Sequence, residues 1–477
     1  MAASTRDERR LAFHAAAGVD DWRVLYCGPI AHFVAGSVRA GAAFATAIAA
    51  LDELAEHPPL IDVRPSGATV RLHSDIVAID DGAADRARAI SAAAREHGLT
   101  PRPDRTQDVQ IAIATQLPID EVLPFWRAVL GYADHVGDDL VDPRGRGPSV
   151  WFQQLEPAKP LRHAMHLDLA VPLEIATRRL DAAVAAGGRV VDDVSPKHWT
   201  CADAAGNKVD LVTWPDLPLP EDEVEIGRGD VGVALGRPDA PTAAPGEASS
   251  SPLVAAGPTD LGRGAAMFTA FRAAADLIDW PVVFWGPTAW FRTESLARSA
   301  ELAGVLAELE GADRLHLDLR ADGLAVRLAR DFTEFVEADL DLARRISAAS
   351  REFRAESDPS QVQTIQLAIA SKPDDEVRPF WRELFGYAEH GPEDLVDLQG
   401  RGPALWFQEL ADGKPLRHAF HVDVSVPRAV GRARVDAALA AGGRIAADSE
   451  EQEWWTLADP AGNKVDIAIW ADRDAVR

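Results

Sequence analysis

An internal repeat restricts the fold of this 477-residue chain more than any other feature of its sequence. PFWRAVLGY at Pro124 recurs as PFWRELFGY at Pro379, and KPLRHAMHLDLAVP at Lys159 recurs as KPLRHAFHVDVSVP at Lys414. Both pairs are 255 residues apart, and further upstream DDWRVLYCGP is answered by IDWPVVFWGP at a similar distance. Because a constant long period marks a duplicated structural unit, we predict two halves with the same fold.

Each half divides into two modules of different pattern. The first module reads as helix, short strands and helix, since SVRAGAAFATAIAALDELAEH and AADRARAISAAAREHG carry apolar residues at helical spacing and ATVRL alternates. The second module reads twice as βαβββ, starting at VQIAIAT and again at HAMHLDLAV. A segment rich in Pro, Ala, Ser and Gly separates the halves. We therefore predict an internally duplicated α+β chain with modules at 1–104, 105–216, 262–358 and 359–477 and a linker at 217–261.

The second modules resemble the vicinal-oxygen-chelate superfamily, which includes glyoxalases and bleomycin-resistance proteins. The residues that carry the resemblance are FWRAVLGY on the first helix, HLDLAV at the start of the second βαβββ unit and DAAGNKVDL at the last strand. The resemblance implies paired βαβββ units around a cup that binds a small molecule.

The first modules resemble pterin-4a-carbinolamine dehydratase, through Trp22, EHPP at Glu56 and VRLHSD at Val70. The resemblance implies proton transfer by histidines, for which His57 and His73 are the candidates in the first copy. In the second copy the corresponding EGADRLHLDL and VRLARD keep no histidine at these positions. The resemblance therefore implies dehydratase chemistry in the first copy alone.

Strand alternation sorts the polar residues of the second modules. In HAMHLDLAV, His166 and Asp168 fall on one face and the neighbouring apolar residues on the other. The repeat places His421 and Asp423 in the same way. We predict these four as acid–base residues that look into the cup. The histidine three positions earlier in each copy falls on the apolar face and is predicted to be structural.

Metal-binding members of the superfamily take one ligand from each of four strands. The resemblance therefore implies two ligand sets, Gln110, Gln153, His166 and Asp210 in the first half and Gln366, Gln408, His421 and Asp466 in the second. One imidazole, one carboxylate and two amide oxygens suit Mg²⁺, Mn²⁺ or Fe²⁺ better than structural zinc. Two alternatives stay open: a metal-free site in which Asp168 or Asp210 orients His166, and a hydrogen-bonded cup without chemistry.

Aromatic and cationic residues supply further candidates. Large aromatic side chains are typical walls of a ligand pocket, and the candidates are Trp151, Trp214, Trp406 and Trp470. Trp199 and Trp455 suit a pocket wall and a core equally well. Arg146 and Arg401, in two GRGP turns, suit either an anion clamp or a solvated turn. Cys27 and Cys201 are predicted to be packing residues.

Composition restricts the class of partner. The net charge is −26, and no Lys/Arg cluster is present, which excludes phosphate-backbone binding. No apolar run is long enough for a bilayer, and the charged start MAASTRDERR lacks an apolar segment behind it, so we expect a cytoplasmic protein. We also expect homo-oligomers through the first modules.

These features favour an enzyme of the lyase or isomerase type, acting in the cups on a small cyclic or heteroaromatic oxygenated metabolite. The first alternative is a binding or self-resistance protein that holds such a compound unchanged. The second is residual carbinolamine dehydratase activity in the first module.

Overall fold

The structure, a computed structural model, describes most of the chain outside its linker. The described stretches are 6–72, 79–156, 165–213, 269–284, 286–329, 335–372, 376–390, 393–400, 402–410, 420–449 and 454–470.

The two halves contain corresponding helices and strands. The α-helices within the described stretches are α1 (Arg6–Ala15), α2 (Val38–Ala49), α3 (Ala83–Glu96), α4 (Ile119–Leu130), α5 (Leu173–Ala185), α6 (Leu296–Ala307), α7 (Glu337–Glu352), α8 (Arg378–Phe385) and α9 (Arg428–Ala440). The strands of the first half are β1 (Arg23–Leu25), β2 (Gly28–Val34), β3 (Leu60–Arg64), β4 (Gly67–Arg71), β5 (Thr100–Pro101), β6 (Asp108–Thr115), β7 (Ala133–Asp134), β8 (Leu140–Val141), β9 (Ser149–Gln154), β10 (Met165–Ala170), β11 (Arg189–Val194), β12 (His198–Ala202) and β13 (Lys208–Val212). Those of the second half are β14 (Val282–Val283), β15 (Gly286–Arg292), β16 (Leu315–Arg320), β17 (Gly323–Leu328), β18 (Thr364–Ser371), β19 (Ala388–His390), β20 (Asp394–Val396), β21 (Ala404–Glu409), β22 (Phe420–Pro427), β23 (Arg444–Ser449), β24 (Trp454–Ala458) and β25 (Lys464–Trp470).

The first modules of both halves share one sheet, called here the central sheet. Its strand order is β1-β2-β4-β3-β16-β17-β15-β14, with β5 beside β2. Antiparallel pairing of β3 with β16 joins the halves and places Asp62 directly opposite Asp318. Like charges opposite each other destabilise a sheet. The join therefore requires cations nearby.

Alternation along these strands gives the central sheet one apolar and one ionic face. Ile61, Val63 and Leu317 belong to the apolar core together with residues of α2 and α6. The residues between them point the other way, toward the second modules. There Arg64 donates through Nε to the Gln399 carbonyl at 2.7 Å. The ionic face is thus the surface on which the second modules sit.

Serine caps explain where the two helices of this core begin. The side chain of Ser37 accepts a hydrogen bond from the amide of Ala40 at 3.1 Å, and Ser295 does the same for Arg298 at 3.2 Å. Such caps satisfy amides that the first turn leaves unpaired. The repeat therefore preserves a start signal as well as an apolar pattern.

The second modules form two eight-stranded sheets, and each contains one βαβββ unit from each half. Sheet A has the order β11-β12-β13-β10-β18-β21-β20-β19, and sheet B has the order β23-β24-β25-β22-β6-β9-β8-β7. Antiparallel pairing of β10 with β18 joins sheet A, and pairing of β22 with β6 joins sheet B. The predicted duplication and the βαβββ units are confirmed. The exchange of units between the halves is a finding of the structure.

The DAAGN and DPAGN motifs tie a loop to the helix of the neighbouring sheet. Trp126 of α4 donates through Nε1 to Asp203 at 2.9 Å, and Asp203 also accepts the Asn207 amide at 2.8 Å. Trp381 of α8 donates to Asp459 at the same distance. These buried carboxylates have a structural role, because indole N–H groups and backbone amides donate to their oxygens.

Two smaller predictions concern the thiols and the membrane. Cys27 and Cys201 are buried thiols, as predicted for packing residues. Within the described stretches, no helix is long and apolar enough to cross a membrane.

Candidate functional site

The polar face of sheet A brings together three side chains, called here site A: His166, Asp168 and Asp210. His166 and Asp168 are two residues apart on β10, and Asp210 of the parallel strand β13 is in register with Asp168. Nε2 of His166 lies 3.2 Å from Asp168 and 3.7 Å from Asp210. Met165, Leu167 and Leu169 belong to the core on the other face. The burial of these three residues opposite His166 and Asp168 confirms the predicted alternation of the strand.

Sheet B carries a matching set, called here site B: His421, Asp423 and Asp466. Asp423 of β22 is in register with Asp466 of β25. Nε2 of His421 lies 3.3 Å from Asp423 and 3.8 Å from Asp466. Sites A and B therefore share one geometry, which arises from parallel pairing of the first and last strands of each βαβββ unit.

Electrostatics in both sites reflects buried carboxylates placed side by side. Burial raises the pKa of Asp168 and outweighs the opposing effect of His166. Burial also lowers the pKa of His166, but Asp168 and then Asp210 outweigh it, so the net shift is upward. In site B, burial and then Asp466 raise the pKa of Asp423 well above its usual range. Each site therefore favours a proton or another cation between its carboxylates.

The three donors of each site fit a small divalent cation. One atom from each residue can be chosen so that all three lie within 4.8 Å of one another. Oδ1 of Asp210 and Oδ1 of Asp466 are buried and accept no hydrogen bond from the described residues. A buried oxygen without a donor is costly unless a cation or solvent meets it. One imidazole with two carboxylates suits Mg²⁺, Mn²⁺ or Fe²⁺.

The predicted grouping of the glutamines is wrong, because sheets A and B each combine both halves. Gln110 lies opposite Asp423 on sheet B, and not beside His166. Gln153 is on β9, which also belongs to sheet B. Gln366 instead lies opposite Asp168, and Nε2 of Gln408 approaches Nε2 of His166 at 3.5 Å. The nearest carboxylate to each histidine is Asp168 or Asp423, which the metal prediction had left out.

Two of the candidate tryptophans differ in their contacts. Trp151 donates through Nε1 to Asp423 at 2.5 Å and packs edge-on against His421, with ring centroids 5.5 Å apart. Its counterpart Trp406 is directed to Glu393, with an Nε1–Oε2 distance of 3.4 Å. Trp151 is thus a wall of site B.

The other tryptophans contribute less. Trp199 and Trp455 belong to the core that sheets A and B share, which decides between their two predicted roles. Trp214 lies outside the described residues, and of Trp470 the structure gives only its position at the end of β25.

Sites A and B differ in the residues around their common triads. His198 of β12 is buried and lies on the polar face of sheet A, because Thr200 is opposite Asp210 while Trp199 is in the core. The repeat has Trp454 at this position. Sequence analysis missed His198, although the different residues at matched positions of β12 and β24 were a usable signal.

Tyr26 distinguishes site B in the same way. It lies between β1 and β2, and burial followed by Asp423 and Asp466 raises the pKa of its phenol well above the usual value. The repeat has Phe284 here, which packs with Ala170 and Val212 at the end of sheet A. The first modules therefore contribute a side chain to each site.

Comparison with protein families identifies the second modules. A model described as a glyoxalase-like domain matches residues 110–212 and 366–468. These two segments are similar to glyoxalase-like domains and together make up less than half of the chain. Each match covers both βαβββ units of one half, so each matched segment contributes strands to sheet A and to sheet B. This match confirms the resemblance read from the sequence of the second modules.

Similarity to individual proteins is low. Two solved structures of glyoxalase I mutants from Zea mays share 9% and 8% identity with the chain, with TM-scores of 0.36 and 0.35. Each comparison covers 78% of this chain and 96% of the maize chain. With identities below 10% and TM-scores below 0.4, the maize structures carry no argument about this protein. No curated protein matches the chain.

The dehydratase resemblance of the first modules gains no support from these comparisons. His57 is exposed in the segment before β3, and His73 lies outside the described residues. His163 and His418 also lie outside them. Of the two predicted dehydratase histidines the structure describes only His57, so their grouping stays a prediction, and we do not propose that activity.

The two GRGP turns insert into the ionic face of the central sheet. Arg146 is 5% exposed and binds Asp318 through Nε at 2.9 Å, so of the two roles left open for it the solvated turn is wrong. Gly145 and Gly400 have φ of +55° and +61°, a left-handed conformation that favours glycine. The carbonyl of Gly400 accepts from Arg64 at 3.2 Å. Arg401 lies outside the described residues.

Proposed function

We propose that the protein is a lyase or isomerase that acts on a small cyclic or heteroaromatic oxygenated metabolite at sites A and B, each of which holds one divalent cation. The observation that carries the proposal is the repeated, largely buried His-Asp-Asp triad on two sheets with the same geometry. Glyoxalase-like domains in both halves support a small-molecule site at this position.

The triads are suited to hold Mg²⁺, Mn²⁺ or Fe²⁺ through one imidazole nitrogen and two carboxylates. Such an ion supplies Lewis-acid polarisation of a substrate oxygen when bound. The chain itself fixes the ligands, because Asp168 and Asp210 are held by adjacent parallel strands. Gln408 borders His166 from the other half, with its Nε2 3.5 Å from Nε2 of the imidazole. The apolar residues behind both strands exclude water from one side of the site.

Proton transfer is proposed to differ between the two sites. At site A, His198 has a buried Nε2 that accepts and donates no hydrogen bond within the described residues, and the nearest carboxylate oxygen, on Asp192, is 3.8 Å away. A histidine nitrogen of this kind is suited to act as a general base. At site B, Tyr26 stays protonated and is suited to donate a proton or a hydrogen bond.

The experiment combines metal analysis with a search for turnover. Purified full-length protein, stripped of metal and reloaded with Mn²⁺, is incubated with a panel of cyclic compounds bearing adjacent oxygens, and products are identified by mass spectrometry. Turnover that disappears in His166→Ala/His421→Ala, while the circular dichroism spectrum is unchanged, supports the proposal. Failure of the reloaded protein to bind any divalent ion overturns the metal-dependent mechanism.

Sequestration without chemistry is the second candidate function, and Trp151 favours it for site B. The indole of Trp151 donates to one oxygen of Asp423 and packs on His421. It therefore limits the space in which a substrate could reach an ion bound to these two residues. A compound that binds tightly and is recovered unchanged from the wild-type protein would favour this candidate over catalysis.

A further inference from the structure

A polar cavity lies where the ionic face of the central sheet meets the second modules. It leaves about 60 Å³ for the centres of water-sized molecules, several times the roughly 10–15 Å³ that one water needs. Both halves contribute to its wall. Five arginines line it, namely Arg64, Arg71, Arg146, Arg320 and Arg327.

Four of these arginines lie against the two carboxylates at the join of β3 and β16. Arg320 crosses to Asp62 with an Nη2–Oδ1 distance of 2.7 Å, and Arg64 crosses to Asp318 at the same distance. Arg71 lies 3.6 Å from Asp62. This reciprocal pattern follows the internal duplication. It explains how two aspartates can face each other in one sheet.

Arg327 departs from that pattern. Its sequence counterpart Arg71 lies by Asp62, but Arg327 forms no ion pair with any described residue. It donates through Nε to Thr288 at 3.3 Å and through Nη2 to Thr364 at 3.0 Å. Burial and then the nearby Arg146 lower its pKa to about 9 against the opposing effect of Asp318, which leaves the guanidinium charged at neutral pH.

Arg146 leaves a second donor unused. Its Nε binds Asp318, whereas Nη1 is buried and has no hydrogen-bond partner among the described residues. The other carboxylates on the wall are Asp108 and Asp397, and Asp397 already accepts the amides of Gln399 and Gly402 at 2.8 and 2.9 Å. A buried guanidinium without an ion pair, as in Arg327, and a buried N–H without an acceptor, as in Arg146, are both costly. An anion between them removes that cost.

We propose that this cavity binds a small oxyanion, with one oxygen at the guanidinium of Arg327 and another at Nη1 of Arg146. Planar guanidinium groups bind phosphate and carboxylate oxygens in pairs, so both classes of ligand share the required chemistry. The volume limits the ligand to a group about the size of inorganic phosphate or a short carboxylate. Bound there, the ion contacts the central sheet of one half and the GRGP turn of the other. The site is separate from sites A and B.

The test measures thermal unfolding of metal-free, full-length protein at constant ionic strength while chloride is replaced by inorganic phosphate or, in a second arm, by acetate. His166→Ala/His421→Ala serves as the background, which removes anion binding at a residual metal. We expect a saturable rise in Tm of roughly 2 °C or more in the arm with the preferred anion. Equal Tm values in chloride, phosphate and acetate overturn the proposal.

Arg327→Gln and Arg298→Gln form a matched pair, since Arg298 is an exposed arginine on α6. For Arg327→Gln, the apparent affinity for the anion, read from the rise in Tm, is expected to fall at least tenfold. Its Tm in chloride is expected to stay the same, because the substitution breaks no ion pair. Arg298→Gln is expected to keep the rise. If Arg327→Gln lowers the Tm in chloride and leaves the anion response unchanged, Arg327 is structural and the proposal is wrong.

Discussion

Replacement of Asp318 by Asn tests whether the ionic face of the central sheet holds the two halves together. Asp318 forms an ion pair with Arg64 at 2.7 Å and accepts a hydrogen bond from Nε of Arg146 at 2.9 Å, and the arginine side chains are only 4% and 5% exposed. Asn keeps the shape and removes the charge. Two buried guanidinium groups then lose their carboxylate.

Removal of one partner from a buried pair costs about 3–5 kcal/mol in free energy of unfolding, and the retained amide oxygen places Asp318→Asn near the lower end. Asp322→Asn is the matched control. Asp322 lies 3.3 Å from Arg144, with its side chain 60% exposed. Exposed pairs of this kind contribute about 0–1 kcal/mol.

Urea unfolding in chloride buffer, followed by circular dichroism and by tryptophan fluorescence, measures both variants. We expect the urea midpoint of Asp318→Asn to be much lower than that of the wild type, and the midpoint of Asp322→Asn to be almost unchanged. Similar losses below about 1 kcal/mol for the two variants would refute the reasoning, because the central ion pairs would then behave as surface pairs.

Three further results are expected. Arg64 and Arg146 outweigh burial and hold the pKa of Asp318 well below its usual range. The charged carboxylate therefore stabilises the fold above its unfolded pKa of about 4, and this contribution is lost as the pH falls. The unfolding free energy of the wild type should fall more steeply below about pH 5 than that of Asp318→Asn. Trp151→Phe removes the 2.5 Å hydrogen bond to Asp423 and should cost about 1.5–3 kcal/mol in urea unfolding, whereas Trp406→Phe, with its 3.4 Å contact, should cost less; equal losses would contradict the difference between the sites. His198→Gln, in a protein with site B inactivated, should lower kcat by roughly 10²- to 10⁴-fold while Mn²⁺ affinity is kept; an unchanged kcat would remove this histidine from proton transfer.

Local patterns in the sequence were sufficient to predict the βαβββ units and the faces of their strands. The alternation around His166 and Asp168 depends only on neighbours in the chain, and so does the helical spacing that defines α4. The pairing of units depends on contacts between distant segments. Both halves carry the same motifs, so the strand edge at β6 fits β22 as well as it fits its own half.

The arginine cluster illustrates a signal that was present and not used. Asp62 and Arg64 on β3 recur as Asp318 and Arg320 on β16, two charged residues on one face of a short buried strand. Such a repeat predicts an ionic face between modules. The burial of Arg146 was not predictable, because a GRGP turn has the same sequence whether solvent or another module covers it.

The exchange of units has a consequence for how the sites evolved and for how they can be altered. A substitution on β18 or β21 of the second half changes the surroundings of His166, which belongs to the first half. A variant on β18 or β21 therefore reports on site A, although its position in the chain would suggest site B.

Mn²⁺ binding in a His421→Ala background tests the central claim most directly, because only site A then remains. Gln408 of the second half borders His166, whereas Gln153 of the first half lies on sheet B. Titration followed by electron paramagnetic resonance should show one Mn²⁺ per chain, with affinity lowered about tenfold by Gln408→Ala and unchanged by Gln153→Ala. Absence of bound Mn²⁺, or a loss of affinity with Gln153→Ala alone, would contradict a metal site whose ligands come from the first half and whose surroundings come from the second.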